Sequence, residues 1–144
     1  MKINQKLLSL MLACGLLVIS SCDGSEESTA EEEFLRKLSG TWALRQVQLN
    51  GMDMTDYFPD MTLTVNADET YSVLHPVSPI WPAGGTYTLQ ASANADLFDI
   101  LRSDGVLITV TELSGNMLRY TVPYESASGR MNEISGDYEF TMER

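Results

Sequence analysis

From Trp42 onward, apolar and polar residues alternate along most of this chain, and turn-forming residues interrupt the alternation at short intervals. A period of two marks a strand with one buried face. Trp42 and Leu44 share a face, with Ala43 and Arg45 opposite. Met61, Leu63 and Val65 alternate with Thr62 and Thr64, and Tyr71 and Val73 follow the turn Asn66-Ala67-Asp68. Tyr87 and Leu89 alternate with Thr86 and Thr88. Leu97 to Arg102 is a further candidate, closed by Ser103-Asp104-Gly105. Val106, Ile108 and Val110 alternate with Leu107 and Thr109, and Ser114-Gly115-Asn116 turns the chain into Leu118, Tyr120, Val122 and Tyr124. Tyr138, Phe140 and Met142 make the last set. Eight short strands in sequence favour antiparallel neighbours. Eight can close into an up-and-down barrel, which removes exposed edges and leaves an interior wide enough for side chains or one small ligand. The expected fold is therefore an all-β, eight-stranded antiparallel barrel, with a two-sheet sandwich as the competing solution.

Ahead of the strands the period changes. Phe34 and Leu38 lie four apart with Leu35 beside them, a narrow apolar stripe suited to a short helix that covers the end of a core. Ser28 or Thr29 can cap it, Glu31, Glu32 and Glu33 suit its positive end, and Arg36 and Lys37 suit its last turn. Gly40 is the expected stop.

The first 22 residues are of another kind. Lys2 and Lys6 precede an uncharged, mostly apolar run of 13 residues, Leu7 to Ile19. That is the architecture of a secretory signal, and the run is short for a permanent span of a ~30 Å hydrocarbon core. It exits through Ile19-Ser20-Ser21-Cys22, an aliphatic residue, two small ones and a cysteine. This sequence resembles the lipobox of bacterial lipoproteins, which implies lipidation at Cys22 and attachment to the membrane through acyl chains such as palmitate. The expected division is a signal peptide over 1–21, a lipidated acidic tether over 22–33 and a barrel domain over 34–144. Asp23 to Ser28 carries nothing apolar to bury and reads as a flexible spacer. It is also similar to the acidic cluster that some bacterial lineages place behind the lipid cysteine as a surface-export signal. The expected location is the outer membrane, facing either the periplasm or the cell surface.

Charge and cysteine content follow from that division. The whole chain has 20 Asp plus Glu against 9 Lys plus Arg, a net charge of −11. Cleavage before Cys22 removes Lys2 and Lys6 and moves the charge to −13. Nucleic acid is excluded as a partner, because such binding neutralises phosphates with Lys and Arg. Cys14 leaves with the signal, so Cys22 has no partner for an intrachain disulfide.

At Leu38-Ser39-Gly40-Thr41-Trp42 a further resemblance becomes usable. A Gly-x-Trp opening the first strand behind a short helix is similar to the lipocalin pattern. With Asp68-Glu69-Thr70-Tyr71, Gly85-Thr86-Tyr87 and Gly136-Asp137-Tyr138-Glu139-Phe140, residues 38–144 resemble the small lipocalin-like domains of bacterial lipoproteins. The resemblance makes Gly40 and Trp42 fold-signature residues, with Trp42 packed across the closed end of the barrel. It also implies a basic residue stacked on that Trp, for which Arg144 is the candidate. Three features depart from the pattern: Thr55-Asp56-Tyr57 sits in the first long loop instead of late in the barrel, no helical pattern follows the last strand, and no disulfide is expected.

Candidate chemistry is sparse. The interior face collects many large side chains, so a filled core is expected. Tyr57, Phe58 and Trp81 fall in loops and Tyr124 ends a strand; these four are the candidate binding residues, for a small apolar ligand, a glycan or an envelope protein. Trp81 stands among Pro76, Pro79 and Pro82, which stiffen the backbone into either a platform or a cover for the open barrel end. No Gly-x-Ser-x-Gly elbow or phosphate-binding Gly loop occurs. His75, ahead of Pro76, reads as a surface residue. Asp53, Asp56 and Asp60 share a loop, but their spacing fits no EF-hand, and no metal or cofactor is expected. The expected function is a non-catalytic binding or accessory module. An interaction or inhibitory component of an envelope complex is the alternative, and a small hydrolase using paired carboxylates is the second.

Overall fold

The computed structural model describes residues 29–126 and 134–144. Residues 1–21, expected to be a signal peptide, Cys22 and the acidic segment behind it lie outside the described residues. The first described element is helix α1, Ala30–Leu38. Thr29 caps it through a reciprocal pair: the Glu32 N–H donates to Thr29 Oγ1 (3.2 Å), and the Thr29 N–H donates to Glu32 Oε2 (3.0 Å). The boundary expected between residues 33 and 34 therefore falls inside α1. Phe34 and Leu38 are buried and Leu35 packs against the core, as the apolar stripe requires.

Nine strands follow: β1 (Gly40–Leu49), β2 (Met52–Asp53), β3 (Thr62–Val65), β4 (Thr70–Leu74), β5 (Gly84–Ala91), β6 (Phe98–Arg102), β7 (Leu107–Leu113), β8 (Met117–Tyr124) and β9 (Gly136–Glu143). All pairings are antiparallel. β1 pairs with β3, each later strand with the next, and β9 returns to β1, which closes an eight-stranded barrel. The two-residue β2 only folds back on the end of β1, Leu49 opposite Met52. The lipocalin-like, all-β barrel is thus the fold, and the sandwich is not.

Two bulges correct the simple alternation. Between Leu44 and Gln46 the β1–β9 register shifts. Trp42 faces inward before the bulge, and Val47 and Leu49 face inward after it. One extra residue reverses parity. The same happens between Val110 and Glu112 in β7. Of the expected inner face, Leu44, Leu89, Val106 and Tyr124 are only partly buried.

The barrel has two different ends. At one lie α1, the start of β1, the β7–β8 turn and Arg144. The Trp42 indole N–H donates to the Leu38 carbonyl (2.8 Å). The Arg144 guanidinium lies 4.1 Å from the Trp42 ring centroid. It donates to the carbonyls of Lys37, Ser39 (3.0 Å) and Gly115 (2.8 Å). The carbonyls that end a helix have no partner within it, so Trp42 and Arg144 together complete the end of α1. Gly40 does not stop the helix. Ser39 is its extended C-cap, and Gly40 opens β1 at φ 135°, where an added Cβ would stand 2.8 Å from Arg144 Nη1.

Gly40→Ala should accordingly lower the unfolding free energy by about 2 kcal/mol, combining a left-handed backbone penalty with displacement of Arg144. Gly115→Ala, whose added methyl meets nothing within 4 Å, should change it by less than about 0.5 kcal/mol. Urea unfolding of both variants measures the contrast, and equal effects would refute this account of Gly40.

Candidate functional site

The opposite end of the barrel is closed by loops. Asp53 accepts from the Thr55 N–H (2.9 Å) and hydroxyl (2.6 Å), a local bond of the kind that starts a turn. These bonds hold the Asp53 carboxyl below the usual carboxylate range. The Val47 N–H donates to Thr55 Oγ1 (3.0 Å), and the Met54 N–H to the Val47 carbonyl (2.9 Å). The resulting 3₁₀ turn, Thr55–Tyr57, is tied to β1 and delivers Phe58 into the barrel mouth. There its ring stands edge-on to Phe140 (5.2 Å) and Tyr138 (6.1 Å).

A second loop, residues 75–83, enters from the other side. Ser78–Pro79 is cis, and the Trp81 N–H donates to the Val77 carbonyl (2.8 Å). Trp81 is 3% exposed, and its indole sits edge-on to Tyr71 (5.6 Å), Tyr120 (5.7 Å) and Phe140 (6.3 Å). Arg102 approaches the same ring, Cζ 5.2 Å from its centroid.

Arg102 is the buried cation of the barrel, 2% exposed. Its Nη1 donates to the Ile80 carbonyl (2.6 Å), and Nε and Nη2 grip both oxygens of Asp104. The guanidinium holds Asp104 below its ordinary pKa. A charge taken out of water needs partners on every donor face, and here the Ile80 carbonyl fastens the Trp81 loop to β6. The buried Trp81 Nε1 and Tyr120 Oη make no well-formed hydrogen bond, although the two side chains adjoin. Burial pushes the Tyr120 phenol far up, and pushes Tyr87, which donates to the Asn66 carbonyl (2.9 Å), up to about 12.

The four expected binding residues separate. Tyr57 is 68% exposed at the mouth; Phe58, at 1%, and Trp81 turn inward. A loop position is not a surface position here, because the open cylinder end has to be filled and these rings fill it. Tyr124 is half-buried, its ring 6.4 Å from Tyr138. Only Tyr57 and Phe58 share a concavity, a mouth pocket of about 190 Å³ completed by Met54, Val77, Ile80, Ile134 and Tyr138. The interior retains about 20 Å³, lined by Tyr71, Trp81, Arg102 and Tyr120 among others. A groove of about 360 Å³ runs beside α1, between Phe34, Lys37 and residues 95–98. Gly40 and Trp42 stand at the other end. Asp53, Asp56, Asp60 and His75 are exposed, and among the described residues no three His, Cys, Asp or Glu side chains group to hold a metal ion.

Sequence reading missed Arg102 and Ile134. Parity alone could have flagged the arginine, since Phe98, Ile100 and Arg102 fall on one face of a strand. Ile134 stands in phase with Tyr138, Phe140 and Met142, but Gly136 interrupts the apolar series between them.

No family model matches this chain, and neither a curated protein nor a solved structure does.

Two outcomes follow from this geometry. Asp104→Ala strands a buried guanidinium and should cost about 3 kcal/mol, while adding Arg102→Met should restore more than half of it; denaturant unfolding of the single and double variants checks the sign. The raised tyrosines give an alkaline limit. Unfolded tyrosines lose their protons near pH 10 but Tyr87 keeps its proton to about 12. Stability is thus full below pH 10 and falls as pH rises toward 12. Tyr87→Phe should flatten that fall, read from urea midpoints between pH 9 and 12.

Proposed function

We propose that this chain is a lipid-anchored protein of the bacterial envelope whose filled, lipocalin-like barrel is a non-catalytic accessory module working through its surface. The anchor reading rests on Lys2 and Lys6, the apolar run to Ile19 and the lipobox-like Ile19-Ser20-Ser21-Cys22. The observation that carries the surface reading is the interior. Sites for small molecules occupy roughly 300–1,000 Å³, whereas about 20 Å³ remains inside this barrel. Trp81 and Phe58 take the space that a carried ligand would need. A small apolar molecule or glycan would have to bind at the mouth or beside α1, and the mouth pocket is the more apolar of the two.

Diacyl or triacyl chains at one cysteine give durable attachment, at roughly 0.8 kcal/mol per buried CH₂. Expression in a Gram-negative host with an alkyne-tagged palmitate should label the wild-type chain and fractionate it with membranes. Cys22→Ala should lose both. An unlabelled wild type with its leader intact would overturn the anchor. Separately, the purified protein should leave the fluorescence of an added fatty-acid probe unchanged; tight, saturable binding would overturn the filled-barrel reading.

A further inference from the structure

Among the described residues, the large apolar side chains that stand most exposed are Met52, Tyr57, Leu74, Leu107 and Ile134. The topology puts all five at one end. Met52 follows the end of β1, Tyr57 belongs to the turn that closes the mouth, and Leu74 ends β4. Leu107 opens β7, and Ile134 precedes β9. None lies at the end that carries α1 and Trp42. Scattered exposed apolar residues are ordinary on any protein surface, whereas apolar residues grouped around a pocket mark an interaction site; of these five, Tyr57 and Ile134 line the mouth pocket.

The described cations, though not the acids, are sorted along the same axis: the helix end carries Glu31, Glu32, Glu33, Asp68, Glu69 and Asp96 beside its basic residues. The mouth carries Asp53, Asp56 and Asp60, all exposed, with Glu125 just past the end of β8 and Asp137 on β9. Among the described residues no exposed Lys or Arg stands at the mouth, where Arg102, at the end of β6, is buried and paired with Asp104. Arg36, Lys37 and Arg144 are at the helix end, and Arg45 pairs with Glu143 and Arg119 with Glu112 on the wall. Residues 127–133 add one Arg and one Glu to the sequence and leave the sign unchanged.

We infer that the barrel mouth docks a basic protein segment, seating one apolar side chain in the pocket between Tyr57, Phe58, Val77, Ile80 and Ile134 while flanking Lys or Arg residues meet the acidic rim. A pocket of about 190 Å³ has the scale of a single Leu, Met or Phe anchor, the kind of buried contact that dominates recognition. Charge complementarity selects among occupants. A second copy would bring the same acids face to face, and an anionic lipid surface would be repelled by them. This inference rests on the surface-acting reading above and gives that surface a place and a partner chemistry.

The test uses the full chain in detergent micelles, with ¹³C-labelled methionine and isoleucine methyl groups. The probe is a synthetic peptide of one Phe flanked on each side by Gly and two Lys. Saturable shifts are expected at Met52, Met54 and Ile134, with Met117 at the far end unmoved. Replacing the peptide's Lys by Glu, or its Phe by Ser, should abolish them. Tyr57→Ser combined with Ile134→Ser should weaken binding about tenfold, ~1.4 kcal/mol. Absence of shifts at about 1 mM peptide would overturn the inference, as would equal shifts with the Glu peptide. Phosphatidylglycerol vesicles that move the same methyls while the Lys peptide does not would overturn it in favour of lipid. Cys22→Ala should leave the peptide shifts intact, so failure of the anchor and failure of the docking site are separate results.

Discussion

A closed cylinder of eight strands encloses a volume that its own side chains have to fill, and that requirement organises the rest of this molecule. The strands supply one inward side chain in two, which lines the wall but leaves both ends open. At one end the gap is closed by α1 and by Trp42, held from outside by Arg144. At the other, the 3₁₀ turn drops Phe58 inward and the proline-rich loop drops Trp81. Close packing of this kind is normal for protein interiors. It also explains why a full cation sits among aromatic rings. The Arg102 fork joins Asp104 to the Ile80 carbonyl, fixing the loop that carries the plug.

The wall was legible in the sequence and the ends were not. Seven of the eight barrel strands show as alternating runs, as half-buried strands do, whereas β6 is legible only as a candidate stretch from Leu97 to Arg102 closed by a turn. The helix was legible for a similar reason: Phe34 and Leu38 sit four apart between acidic and basic turns. Parity failed where the backbone broke it. Val47 and Leu49 alternate correctly with each other but stand out of phase with Trp42, and only the bulge at Leu44–Gln46 reconciles them. Loops defeated the reading more deeply. Nothing local distinguishes an aromatic that waits on a stiff loop from one that folds into the barrel. Tyr57 and Phe58 are adjacent in sequence, yet one is exposed and the other fully buried. Gly40 illustrates the converse, a residue correctly singled out for a reason that the structure replaces: its left-handed backbone makes room for Arg144 and does not terminate α1.

The two ends differ in character as well as in construction. The helix end is charged, with Thr29 capping α1 ahead of Glu31, Glu32 and Glu33 and a Glu33–Lys37 pair on the outside of the helix (2.8 Å). The mouth is apolar within and acidic around. A chain tethered ahead of Thr29 would approach the membrane through the first end and present the second outward. The polarity of the barrel thus agrees with the proposed division of labour, attachment at one pole and contact at the other.

The direct pairing of β1 with β9 has a temporal side. About a hundred residues of chain separate Val47 from Phe140, which stand opposite each other in that ladder. Contacts so remote in sequence form slowly, since a long segment must be organised before they can reward it. The hoop therefore cannot be fastened until β9 has been delivered. Until then two unzipped margins coexist, and whatever escorts the nascent chain has both of them to shield.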